Sequence, residues 1–244
     1  MGSWNYGKRR QEAGLSTILL NRRFVERPPY GIVDRRGGKK PVSPFRSPVK
    51  LLLLIPLFLS GCAKQLPVIY NVDGTSFTFL NQDSSQVKFP AAFEGHLVVM
   101  AFIWTHCTDV CPETIDNLHL LQDTLAQEGM TGVKFIALTY DPHRDTPSIL
   151  KRFAESHGVD FTGPQGSDWT FLTGSTANID SILYRMKIHY FMQDTTFSRR
   201  GKMSYSIYHP DECVFLDRYA RVRGVYSGSN LDFERMVQDI KSLE

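Results

Sequence analysis

Two cysteines, Cys107 and Cys111, stand between a segment that reads as a buried strand and one that reads as a helix, and this junction constrains the chain more than any other feature. The run Val99-Met-Ala-Phe-Ile-Trp104 has no charged or polar side chain, as a strand covered on both faces requires. The segment Cys111–Glu128 repeats Ile115, Leu118, Leu121 and Leu125 at helical spacing. Cysteines four apart at a helix start share one face, about one turn apart, and a helix N-terminus favours thiolate. Neighbouring thiolates make either a redox couple or a soft-metal site. A structural disulfide is the third reading for an exported chain, although a bridge closing so small a loop adds little through chain entropy.

Export is written in Lys50-Leu-Leu-Leu-Leu-Ile-Pro-Leu-Phe-Leu-Ser-Gly-Cys62. One positive charge, a short apolar core and small residues follow the plan of a signal peptide, and the core is too short for a comfortable membrane span. Leu59-Ser-Gly-Cys62 also resembles a bacterial lipobox, which implies cleavage before Cys62 and acylation of its sulfur. A membrane anchor or uncleaved leader with an incidental cysteine is the other reading. Signal peptides open a chain, yet 48 residues precede this one. Residues 1–48 therefore read as an extension upstream of a start at Val49, or as a basic cytoplasmic tail. Residues 1–50 hold 12 Lys and Arg against 3 Asp and Glu, of 28 and 25 in all, so residues 51–244 carry a net charge of −6. The basic balance belongs to the leader region and is no argument for nucleic-acid binding.

The expected organisation is an extension or tail over 1–48, a lipoprotein signal peptide over 49–62, a tether over 63–75 and one domain over 76–244. Within that domain Ser76–Leu80 and Gln86–Phe89 read as a hairpin, Leu97–Trp104 and Val133–Tyr140 as buried strands, and Phe171–Leu172 as a brief strand. Thr146–His157, Thr176–Met186 and Leu231–Leu243 read as helices, with Pro147 in the first turn of the first of these. Tyr205–His209, Glu212–Leu216 and Arg221–Tyr226 read as late strands, and 192–205 as a loop. Strand, helix and strand, with antiparallel strands and a last helix to follow, predict an α/β protein with a mixed central sheet flanked by helices. A dithiol at the first helix makes that pattern thioredoxin-like, with its chemistry at the carboxyl end of a parallel strand.

The spacing Cys107-Thr-Asp-Val-Cys111-Pro112-Glu113 is Cys-x-x-x-Cys rather than the Cys-x-x-Cys of thioredoxin-like redox enzymes. After a strand ending Trp104-Thr-His106, it resembles the Sco/SenC family of copper-delivery proteins. Asp141-Pro-His-Arg144-Asp145-Thr-Pro147 resembles that family's Asp-Pro-x-Arg-Asp-Thr-Pro segment, Leu172-Thr-Gly174 its Leu-Thr-Gly, and His209 its downstream histidine. The resemblance spans roughly residues 76–243. It implies copper, Cu(I) or Cu(II), held by Cys107, Cys111 and His209, with Asp141 a neighbouring hydrogen-bond acceptor or a turn residue. Thiolates suit Cu(I), and imidazole serves both oxidation states. The chain departs from the family in having Tyr208 where Asp usually precedes the histidine, with Pro210 after it, which puts the histidine's geometry in question.

Other residues get plainer readings. His106 abuts Cys107 but points away from the dithiol. Cys213 is a small buried residue. Met192 and Met203 pack in a loop or core, Trp104 and Trp169 fill the core, and His119, His143, His157 and His189 are solvated. The resemblance implies a membrane-tethered chaperone, not an enzyme in the turnover sense, in the cell envelope facing the periplasm or exterior. Its partner would be the copper-centre subunit of a terminal cytochrome oxidase or another copper chaperone, which it would load with copper, reduce at the cysteines, or both. A thiol-disulfide oxidoreductase acting on exported proteins is the alternative, and a peroxide-consuming thiol enzyme a third. A histidine ligand is what a metal carrier needs and a pure redox enzyme does not.

Overall fold

The computed structural model describes residues 66–201 and 203–244. The segment read as a signal peptide, Cys62 and the expected start at Val49 lie outside them. Ten strands and four helices follow in the order β1 (Tyr70–Asn71), β2 (Phe77–Asn81), β3 (Gln86–Phe89), β4 (Val98–Ile103), α1 (Val110–Gln127), β5 (Lys134–Thr139) and α2 (Pro147–Ser156). The second half holds β6 (Trp169–Thr173), α3 (Thr176–Arg185), β7 (Phe191–Phe197), β8 (Met203–Tyr208), β9 (Glu212–Leu216), β10 (Arg221–Ser227) and α4 (Phe233–Lys241). Eight strands form one mixed sheet in the order β1-β10-β9-β4-β5-β6-β2-β3, in which β4, β5 and β6 run parallel. The chain has the α/β, thioredoxin-like architecture expected of it.

Strand position follows from composition. All six residues of β4 are buried, and it lies between β5 and β9, where both faces and both edges are covered. Each fully buried Val, Ile, Phe or Met there contributes about 1.5–3 kcal/mol by leaving water. β10, nearer the sheet edge, alternates buried with half-buried residues and so presents one face to the core. Helix α1 packs on β4 and meets α4, while α2 packs on β6 and α3 on β2. α1 buries Ile115, Leu118, Leu121 and Leu125, the predicted stripe. It stops at Gly129, whose φ of +76° admits the reversal in which Met130 N–H donates to the Leu125 carbonyl and Gly129 N–H to that of Ala126. The expected helix Thr146–His157 begins at Pro147, with Thr146 as its cap, and the proline's missing N–H costs nothing in a first turn.

Three features depart from the sequence reading. Residues 192–205, read as a loop, hold most of a separate two-stranded sheet in which Phe191 faces Tyr208 and Phe197 faces Met203. Every residue of β7 is exposed, so no apolar alternation marked it as a strand. Met192 and Met203 are about half exposed rather than packed. Sheet pairing also starts before residue 76, because Tyr70 and Asn71 pair with Val222 and Arg221. Among the described residues no helix is long and apolar enough to cross a membrane.

Candidate metal centre

The site is built where β4 and β5 end. After Trp104 the chain turns, and Cys107 N–H closes that turn onto the Trp104 carbonyl at 2.9 Å. Helix α1 starts only at Val110, so Cys107 lies in the approach to the helix while Cys111 lies in its first turn. The two cysteines therefore do not share a helical face, as their spacing alone suggested, because Cys107, Thr108 and Asp109 all precede the first residue of the helix. Pro112 fits the first turn, whose N–H groups have no partners within the helix.

Asp145 pins the approach. It is fully buried; its carboxylate accepts from Thr105 N–H (3.2 Å), from the Thr105 hydroxyl and from the Thr139 hydroxyl (2.5 Å). One side chain thus ties the exit of β4 to the exit of β5. Burial pushes its pKa up, and the donated hydrogen bonds only partly offset this.

His209 arrives from the other side, one residue beyond β8. Its ring stacks on Tyr140 with centroids 4.9 Å apart. Nδ1 donates to the Pro210 carbonyl at 3.1 Å, which leaves Nε2 facing Cys111 Sγ at 3.6 Å. The two sulfurs and one imidazole nitrogen all lie within 4.8 Å of one another, and among the described residues this is the one such cluster of His, Cys, Asp or Glu. Cys111 is buried, whereas Cys107 and His209 are half-buried, so the cluster opens to solvent on one side.

The electrostatics are asymmetric. The Cys111 thiol donates to Cys107 and pulls its pKa far below the usual thiol range; burial opposes this, and His209 and nearby backbone amides add to it. Cys111 is pushed far up, first by that same bond and then by burial. Burial works against charge on His209, but the Cys107 thiolate and the Pro210 carbonyl outweigh it and raise the pKa. The site thus favours charge on Cys107 and disfavours it on Cys111, with an imidazole whose protonated form is favoured beside them.

Asp141 is buried, but its carboxylate accepts from the Tyr205 hydroxyl (2.7 Å) and Arg144 Nε, and none of its hydrogen bonds reaches a cysteine or His209. It serves a cage in which the Arg144 guanidinium lies 3.6 Å from the Tyr205 ring centroid and 4.9 Å from that of Trp104. His106 is exposed and stacks on Trp104. Cys213 is fully buried in β9, and its thiol is pushed up to about 12 by burial. His157 is not solvated as expected but half-buried, with Nδ1 2.8 Å from Asp116. Sequence reasoning passed over Asp145, Tyr140 and Asp211. Asp145 sits inside a segment already singled out, and Tyr140 directly precedes Asp141, so position carried a signal for those two. Asp211 had none beyond lying near His209.

A family model described as SCO1/SenC matches residues 71–244. The SCO1 protein homolog of Bacillus subtilis (strain 168) is 30% identical over 194 residues, covering 78% of this chain and 92% of the relative. Among solved structures, BsSco, described for its disulfide switch and as a member of the Sco family of cytochrome c oxidase assembly proteins, is 26% identical. It superposes with a TM-score of 0.58 over 72% of this chain and 95% of its own. Arabidopsis thaliana ScoI, solved with copper bound, is 20% identical with a TM-score of 0.56, over 69% of this chain and 98% of its own, and shares the fold.

Proposed function

This chain belongs to the SCO1/SenC family, and we propose that it is a copper carrier of the cell envelope that takes part in assembling the copper centre of a cytochrome oxidase. The observation that carries the reading is the convergence of Cys107 Sγ, Cys111 Sγ and His209 Nε2 within 4.8 Å on a partly open site. Two sulfurs form a soft donor pair for Cu(I), and the imidazole adds a ligand that also suits Cu(II). Copper is cargo here. A recipient's thiolates enter from the solvent side, replace the cysteines one at a time, and leave the carrier as it began. A lipid on Cys62 would hold the domain at a membrane, close to the point where β1 joins the sheet, and Cys62→Ser should then release it or leave the precursor uncleaved.

The pKa asymmetry favours a second role for the same pair, reduction of the recipient's disulfide. The Cys107 thiolate attacks one sulfur of that disulfide and expels the other as a thiolate. Loss of charge on Cys107 removes the largest cause holding the proton on Cys111. Cys111 then gives up its proton, attacks Cys107, and frees the second recipient thiolate, leaving a Cys107–Cys111 disulfide. Copper and that disulfide are mutually exclusive, because only thiolates ligate the metal.

The test is metal analysis of protein purified under reducing conditions and titrated with Cu(I). One copper per chain is expected, lost in the Cys107→Ala/Cys111→Ala variant and weakened in His209→Ala, more for Cu(II) than for Cu(I). Oxidised protein without reductant should take up none. Stoichiometric Cu(I) in the double cysteine variant would overturn the ligand assignment.

A further inference from the structure

We propose that Asp211 is the positioning residue for His209, fixing the imidazole over the two sulfurs without touching metal; this rests on the copper reading above. His209 stands in the short connection 209–211 between β8 and β9, not on a strand or helix. A ligand on a connection needs something outside itself to hold its place.

Asp211 supplies that hold by gripping three parts of the molecule at once. Its Oδ2 accepts from the Ser227 hydroxyl at 2.6 Å and the Ser229 hydroxyl at 2.7 Å, and Ser229 N–H donates to Oδ1 at 3.0 Å. The Thr114 hydroxyl, 2.8 Å from the Val110 carbonyl, is also 3.2 Å from Asp211 Oδ1. Gly228 N–H reaches the Asp211 backbone carbonyl at 3.3 Å. Thr114 stands three residues after Cys111 on α1, so one carboxylate links the cysteine-bearing helix, the segment closing β10, and the peptide next to the histidine.

The far side of the clamp is itself rigid. Asn117 Nδ2 donates to the carbonyls of Gly228 (3.0 Å) and Ser229 (2.8 Å), binding that segment to α1. Gly228 packs so closely on α1 that a Cβ there would overlap the Thr114 side chain. Pro210, between the histidine and the clamp, has a fixed φ, and its carbonyl receives His209 Nδ1–H. Anchoring Asp211 therefore fixes the Pro210 peptide, that peptide fixes the tautomer and tilt of the ring, and Nε2 is left 3.6 Å from Cys111 Sγ.

The consequence is selective. Cu(I) is satisfied by two sulfurs, whereas Cu(II) needs the nitrogen, so loosening the clamp should act as a partial loss of His209. Asp211→Ala should weaken Cu(II) binding about 10- to 100-fold, as loss of a ligand's hydrogen-bonded support does elsewhere, and change Cu(I) affinity by less than about threefold. Its Cu(II) EPR hyperfine pattern should move toward that of His209→Ala. Asp211→Asn, which keeps one acceptor oxygen, should fall between.

The experiment is a cycle of wild type, Asp211→Ala, His209→Ala and the double variant, read by Cu(II) affinity, Cu(I) affinity and EPR, with proton NMR of the metal-free reduced protein. Positioning requires that Asp211→Ala have no further effect once His209 is gone, and that the ring-current shift Tyr140 imposes on the His209 ring protons be lost in metal-free Asp211→Ala. Equal losses with and without His209, or an unshifted EPR spectrum and ring signal, would overturn it. Should Asp211→Ala fail to fold, Thr114→Val removes only the helix leg and must move the same signals in the same direction by less. A wild type that binds no copper would defeat the copper reading, while the NMR comparison would still decide the positioning.

Discussion

If Cys107 is held as a thiolate, its alkylation should be almost independent of pH where an ordinary thiol's is steep. An unperturbed cysteine with a pKa near 8.5 gains thiolate tenfold per pH unit, so its rate rises about 100-fold between about pH 5 and pH 7. Cys107 lies far below that range because Cys111 donates to it and His209 lies alongside. A depressed pKa keeps the ionised form as pH falls, so its rate should change less than about twofold over the same interval. The absolute rate at neutral pH should be unremarkable, since a stabilised thiolate is a weaker nucleophile. Cys111, 1% exposed and carrying its proton, should react far more slowly. The assay treats reduced, metal-free protein with iodoacetamide at a series of pH values and maps the adducts by mass spectrometry. Cys111→Ala removes the largest cause of the shift and should restore a steep profile. A tenfold rise per pH unit at Cys107 in the wild type, or faster modification of Cys111, would refute the assignment of thiolate and thiol.

Further expectations concern the frame around the site. Asp217, almost fully buried, accepts from Arg221 Nε (2.8 Å), Arg223 Nε (2.7 Å) and the N–H groups of Tyr219 and Arg221. Burial alone would raise its pKa, but these donors lower it. Its stabilising contribution is therefore present above the unfolded pKa near 3.9 and is lost as pH falls through the lower folded value. Asp217→Asn should cost about 2–3 kcal/mol in urea unfolding at pH 7, the Arg221 share being discounted for solvent, and the gap to wild type should close in acid. Gln122 is buried, accepts from Trp169 Nε1 at 3.0 Å and donates to the Ser167 carbonyl. Gln122→Leu should cost about 2–4 kcal/mol and alter tryptophan emission, because it strands both partners. Arg144→Ala leaves buried Asp141 without its cation and should cost about 3 kcal/mol by thermal unfolding. Arg144→Lys should restore little of this, since an ammonium cannot stack as a plane between Trp104 and Tyr205.

How legible the protein was in its sequence depended on whether a residue's role shows as a pattern or as a meeting. The continuous apolar run of β4 and the Ile115–Leu125 stripe of α1 are patterns, because burial on two faces or on one leaves a period in the chain. β7 was missed, although its partner β8 was read in part as Tyr205–His209, because β7 buries nothing and so carries no period. The Cys107, Cys111 and His209 set was named through resemblance; nothing within the chain marks a histidine 98 residues from Cys111 as its neighbour. The same limit explains Asp141 and Asp211. Asp141 sits at the end of β5, where a partner for the ligands was a reasonable expectation, yet Arg144 and Tyr205 occupy its oxygens. Asp211 carries no mark in the sequence beyond its place two residues after His209. Its role exists only because β10 and α1 bring Ser227, Ser229 and Thr114 to one carboxylate. The departure at Tyr208, which put the histidine's geometry in question, thus has its physical counterpart two residues past the histidine. A chain without a carboxylate before the ligand can hold the imidazole from behind, through the peptide that follows it, if that peptide is tied to the helix bearing the sulfur.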